Sequence, residues 1–111
     1  EENVFRKATG AQVVKAENKL VGHRPAGQVS EDHPLVRAAA WAARTTGHTP
    51  RFGYSSTDAN LPISLGIPAI TMGGGGRSDN AHSLDEWFEP VDAWKGPQTV
   101  LLAILAFDQS R

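Results

Sequence analysis

The chain has 111 residues, 40% of them hydrophobic, with eleven Lys and Arg against twelve Asp and Glu for a formal net charge of −1. This is enough for one domain with a modest core and not two, and the even charge, with no Lys/Arg cluster, argues against nucleic acid or an anionic membrane as the main partner. No apolar run approaches the roughly 20 residues that span a bilayer, while the lack of cysteine removes disulfides, thiolate zinc sites and a cysteine nucleophile and leaves the compartment open, with the cytoplasm as the expectation.

In chain order, Glu1 opens the sequence without Met or a signal-peptide pattern, so either a leader has been removed or the chain is a piece of something longer. Glu1 to Lys7 reads as the last turns of a helix closed by Gly10. "AQVVKAENKLV", Ala11 to Val21, alternates loosely with period two and predicts a long exposed strand. "GHRPAG", Gly22 to Gly27, is Pro/Gly punctuation and a candidate domain boundary. A helix begins near Asp32, with Asp32 as N-cap and Pro34 in the first turn. Leu35, Val36, Ala39, Ala40 and Ala43 give it a buried face, and Gly47 ends it as a C′ residue.

"RFGY", Arg51 to Tyr54, reads as a short strand running into "SSTDAN", whose hydroxyl and Asx residues suit a turn and a helix N-cap. "LPISLG" is a short helix ending at Gly66, and "IPAITM", Ile67 to Met72, is a buried strand that runs straight into four glycines. In "GPQTVLLAILAF", Pro97 near the start and Val100, Leu101, Ile104 and Leu105 on one face predict a final helix. Helix, strand, short helix, strand, long loop and helix alternate as in an α/β sheet with helices on its faces. Sites in such sheets gather at loops leaving the carboxyl ends of strands. Ser55–Asn60 and Gly73–Glu86 are both in that position.

What chemistry do these loops carry? A P-loop needs G-x-x-x-x-G-K-[ST], and "GGGGRSDNAHS" has no Lys at the required place and two acidic residues close by. Ser55 and Ser56 follow a strand, yet no G-x-S-x-G elbow surrounds them. His82 is a suitable ligand for Zn²⁺, Mn²⁺ or Co²⁺, but there is no H-E-x-x-H, and His23, His33 and His48 lie far away in sequence. By composition alone, a loop histidine flanked by Asp79, Asp85 and Glu86 is more readily a solvated one.

Taken together, "GHRPAG", "SSTDANLPISLGIPAITMGGGG" and "NAHSLDEWFEP" resemble, in order and spacing, the C-terminal part of the dinuclear zinc peptidases and deacylases. That family includes peptidase T, carboxypeptidase G, acetylornithine deacetylase and succinyl-diaminopimelate desuccinylase, and the series is closest to the peptidase T-like members. The resemblance covers residues 12 to 108. It implies an α/β fold: residues 23–111 as the C-terminal part of a three-layer α/β/α catalytic domain, and residues 1–22 as the end, with the last strand, of an inserted α+β lid or dimerisation domain. It places a metal ligand at His82 and a supporting carboxylate at Glu86. Ser56, Thr57, Asp58 and, within the same turn, Asn60 are implied substrate contacts, as are the backbone N–H groups of Gly74 and Gly75. Arg24 is expected to anchor the domain crossing through a buried ion pair. Family members often carry an acidic residue where this chain has His23, so residue 23 inherits no role.

The resemblance also implies what these residues lack. The remaining metal ligands and a general-base Glu come from the N-terminal half of the family's catalytic domain. One histidine cannot hold two zinc ions, since each takes about four ligands. The expectation is therefore a fragment, inactive alone, of an enzyme that cleaves peptide or N-acyl amide bonds with two divalent metal ions, zinc first and cobalt or manganese next. The implied partners are a peptide or N-acyl amino acid, the rest of the same polypeptide, and a second copy through the lid domain. The alternative is a non-catalytic relative of the same fold that binds a peptide or a protein.

Overall fold

The computed structural model describes residues 17–109. The expected helix end at Glu1–Lys7 and residues 11–16 of the expected first strand lie outside the described residues; residues 17–21 form no strand. Among the described residues the order is helix α1 (Pro34–Thr45), short helix α2 (Asn60–Ser64), strands β1 (Arg77–Asp79) and β2 (Trp87–Glu89), and helix α3 (Lys95–Asp108). No helix is long and apolar enough to cross a membrane among these residues.

Helix α1 starts one residue later than the sequence suggests. Asp32 sits in the preceding turn, where its N–H donates to Ser30 Oγ at 3.3 Å. The cap is His33, whose Nδ1 accepts the Leu35 N–H at 3.2 Å, so the ring proton must reside on Nε2. The other end closes as expected at Gly47, which has φ +85°. Gly47 N–H donates to the Arg44 carbonyl and His48 N–H to the Ala43 carbonyl, at 3.0 and 2.8 Å. That pair of bonds is a Schellman motif, and it satisfies carbonyls the helix itself leaves open.

Helix α1 packs against α3 through small side chains. The cluster is Ala39, Ala42 and Ala103, with Ile70, Met72 and Leu102 half-buried against it. A 2.7 Å hydrogen bond between the Thr46 and Thr99 hydroxyls crosses the same interface, a contact worth about 1 kcal/mol net. The buried residues of α3 are Gly96, Thr99 and Ala103, not the expected Val100, Leu101, Ile104 and Leu105, which are 37, 57, 59 and 52% exposed. Two helices approach closely only where both present short side chains, and on α3 Thr99 and Ala103 face α1 while Gly96 is buried under the glycine run. On α1, likewise, Ala38 and Ala42 are buried where Leu35 and Ala43 were expected to be, and those two are half-buried.

Arg51–Tyr54 and Ile67–Met72 do not form strands among the described residues; the sheet there is the antiparallel pair β1–β2. A strand exists through its ladder, and neither segment has a ladder partner within residues 17–109. Ile70 and Met72 nevertheless pack against the core cluster while Thr71 between them faces out. Beyond Met72, with Gly73, Gly74 and α3 residues Gly96, Pro97, Val100, Leu101 and Ile104, the chain lines an apolar groove of about 370 Å³.

Candidate active-site loops

The glycine run crosses the first turn of α3. A Cβ on Gly96 would strike the Gly74 carbonyl and the Gly75 amide, and one on Gly75 would strike the Ala93 carbonyl. Gly75 also has φ +90°, a conformation other residues adopt only at a cost. Its glycine is therefore required by packing and by backbone geometry at once. Gly73 and Gly74 differ: a Cβ on either would meet nothing within 4 Å. Of the two glycines expected at a substrate, Gly74 leaves open space beside it.

From Gly76 the chain enters the hairpin, with Arg77 opposite Glu89, Ser78 opposite Phe88 and Asp79 opposite Trp87. The hairpin was not foreseen; its sequence signal is the turn-rich "NAHSLDE" ahead of the β-forming Trp87 and Phe88. Within the loop, the polar side chains hold one another. Asp79 Oδ1 accepts the Asn80 N–H at 2.8 Å, and Ser83 Oγ donates to the Asn80 carbonyl at 2.8 Å and accepts the Asp85 N–H at 3.2 Å. Asn80 Nδ2 reaches the Asp85 carbonyl at 3.4 Å.

His82 stands at the tip of this frame with φ +66°. A non-glycine residue in the left-handed region is uncommon and points to a constraint worth explaining. The main-chain N–H of His82 donates to Glu86 Oε2 at 3.4 Å, so Glu86 supports the backbone of His82 rather than its ring. Asp85 contributes its main chain to the loop frame. The hydrogen bonds of the loop end at the His82 main chain, and the residue is exposed. An exposed imidazole is a common metal ligand. No group of three His, Asp or Glu side chains able to hold a metal comes together among the described residues. A metal on His82 therefore needs ligands from elsewhere.

The second loop, Ser55–Asn60, is tied to the first. Thr71, two residues ahead of the glycines, donates through Oγ1 to Thr57 Oγ1 at 2.9 Å. Asn60 Oδ1 accepts the Thr57 N–H at 2.9 Å, and Asn60 N–H donates to the Thr57 carbonyl at 3.1 Å. The N-cap position of α2 is Ala59, which makes no side-chain cap. Ser56 and Asp58 are exposed, and Thr57 is half-buried. Asp58 pairs with Arg24 at 3.5 Å, but the side chains are 48% (Arg24) and 105% (Asp58) exposed. The expected buried anchor is thus a solvated pair, and such pairs contribute little. Asn60 and Thr71 are the connections that sequence reasoning did not identify, because they depend on residues 14 and 35 positions away.

On the opposite side of the hairpin, Asp92 Oδ2 lies 2.7 Å from Lys95 Nζ. The hydrogen bond and the charge of Lys95 hold the Asp92 carboxyl below the ordinary 3.8. The same ammonium sits 5.6 Å from the Trp94 ring centroid, within cation–π range. These contacts fasten the turn that leads from β2 into α3. In comparison with known proteins, the chain matches no protein-family model and no curated protein.

Proposed function

We propose that this chain is the C-terminal part of the catalytic domain of a metal-dependent amide hydrolase, a peptidase or deacylase with two divalent metal ions, in which His82 is one metal ligand. The observation that carries the reading is His82 itself: an exposed imidazole at a hairpin tip, on a left-handed backbone held by Glu86. No group of three metal-ligating side chains comes together among the described residues, so in this reading most ligands of the two metal ions lie elsewhere. The uncovered Val100, Leu101, Ile104 and Leu105 face of α3, and the ladderless Ile67–Met72 segment beside it, support further structure packing here. We assign that role to the remainder of a three-layer α/β/α domain, with residues 1–22 as the end of an inserted lid domain through which two copies pair.

When bound, the paired metal ions supply a water of lowered pKa and polarise the scissile carbonyl. The residues of this chain bind and orient. His82 offers a ring nitrogen, and its main-chain N–H donates to Glu86. Gly74 leaves room beside the main chain for substrate, and the Ser56 hydroxyl and the Asp58 carboxylate face outward for its polar groups. In this reading the general base is a Glu supplied from upstream in the polypeptide. The test is the full-length protein assayed on Ala-Ala-Ala and N-acetylmethionine, with His82→Ala beside it. Loss of at least 100-fold in kcat/KM, about 2.7 kcal/mol of transition-state stabilisation or more, supports the reading. Wild-type turnover in the variant refutes it.

A further inference from the structure

We propose that Asn60 is a positioning residue: it sets the Ser56–Asp58 turn by fastening it to the segment around Pro25. The functional consequence rests on the hydrolase reading above. Asn60 engages both ends of its carboxamide within the fold. Oδ1 accepts the Thr57 N–H at 2.9 Å, and a longer bond from Thr57 Oγ1 at 3.5 Å, while Nδ2 donates to the Pro25 carbonyl at 3.1 Å. The residue is half-buried, as is Ala59 before it, while Leu61 after it is exposed.

Two further contacts meet at the same junction. Arg24 reaches Asp58 at 3.5 Å, and Gly27 lies so close to Ile63 that a Cβ there would overlap the isoleucine side chain. Residues 24–27 and 57–63 thus touch at three points. Among the described residues, Asn60 alone bonds both to the main chain of the turn and to the main chain of the opposing segment. With the Thr57 amide held by Asn60 and its hydroxyl reached by Thr71, the exposed polar side chains of the turn are those of Ser56 and Asp58. In this proposal Asn60 decides where these two stand, in place of the substrate contact that the resemblance implies for it.

Asn60→Asp separates this role from simple capping. Aspartate is nearly isosteric and keeps the acceptor for the Thr57 N–H, so a residue that merely caps tolerates it. It lacks the donor for Pro25 and turns a carboxylate toward a carbonyl oxygen. Asn60→Ser, which also keeps an acceptor and carries no charge, is measured alongside. In the full-length protein both variants should exchange amide hydrogens faster over residues 23–28. Both should raise KM about tenfold, the scale of one lost hydrogen bond, for whichever of Ala-Ala-Ala and N-acetylmethionine the wild type hydrolyses. Metal content and kcat should stay within about twofold. Faster exchange with an unchanged KM overturns the positioning role, and unchanged exchange overturns the junction itself. If the wild type hydrolyses neither probe, it is the hydrolase reading that fails, and exchange over residues 23–28 then decides for or against the Asn60 tie alone.

Discussion

Replacing Gly96 by Ala should destabilise the protein, although alanine is the better helix former. Glycine in a helix interior costs about 1 kcal/mol relative to alanine, and Gly96 is the second residue of α3, so propensity alone predicts a gain below that amount. Packing predicts the reverse. The new Cβ would meet the Gly74 carbonyl and the Gly75 amide, both main-chain groups, which cannot rotate away as a flexible side chain does. Gly75 is itself held at φ +90° against the Ala93 carbonyl, so the glycine run has no easy retreat. Inserting a methyl group into such a contact costs about 1–3 kcal/mol. The balance is a net loss of up to about 2 kcal/mol, which lowers Tm by several degrees. Differential scanning calorimetry of the full-length protein measures it, with Gly73→Ala as control because a Cβ on Gly73 meets nothing. The control should be neutral to slightly stabilising. A Gly96→Ala protein more stable than wild type would refute the close approach of the glycine run to α3.

Glu86→Ala should release the His82 main chain and weaken metal binding about tenfold in competition with a chelator, toward the lower end of what outer-shell partners contribute. Glu86→Gln, which keeps an acceptor oxygen for the His82 N–H, should recover most of the loss; equal affinity in all three proteins would remove Glu86 from the site. Asp92 gives a pH signature. Its carboxyl is held below 3.8 by Lys95, so the stabilisation is present above that value and fades as pH falls through the lower folded-state pKa. The Tm difference between wild type and Asp92→Asn should therefore be seen at pH 5 and close toward pH 2, and a difference constant across that range contradicts the pairing.

How far the fold was legible depended on whether its causes were local. Pro34 and Gly47 bracket α1 because a first-turn proline and a left-handed C′ glycine act within a few residues. The cap was misplaced by one position because histidine is a rarer acceptor than aspartate, and only the Nδ1 geometry of His33 identifies it. The final helix was legible but its packed face was not. Hydrophobicity ranks Leu101 and Ile104 above Thr99 and Ala103, whereas contact with α1 depends on closeness of approach. The strands at Arg51–Tyr54 and Ile67–Met72 require partners that no local pattern supplies. At the candidate site, "NAHSLDE" marked His82 and Glu86, but the hydrogen bond to the His82 main chain is a matter of geometry. The ties from Thr71 to Thr57 and from Asn60 to Pro25 are long-range and leave no periodic trace.

The central claim is that His82 binds a metal ion in a two-metal hydrolase. Counting metal by mass spectrometry in the full-length protein, purified from zinc-supplemented medium, tests it most directly. The account predicts about two zinc, cobalt or manganese ions per chain in the wild type and a clear loss in His82→Ala, with the variant still folded by circular dichroism. A wild-type protein without metal, or a His82→Ala protein that keeps both ions, would contradict it.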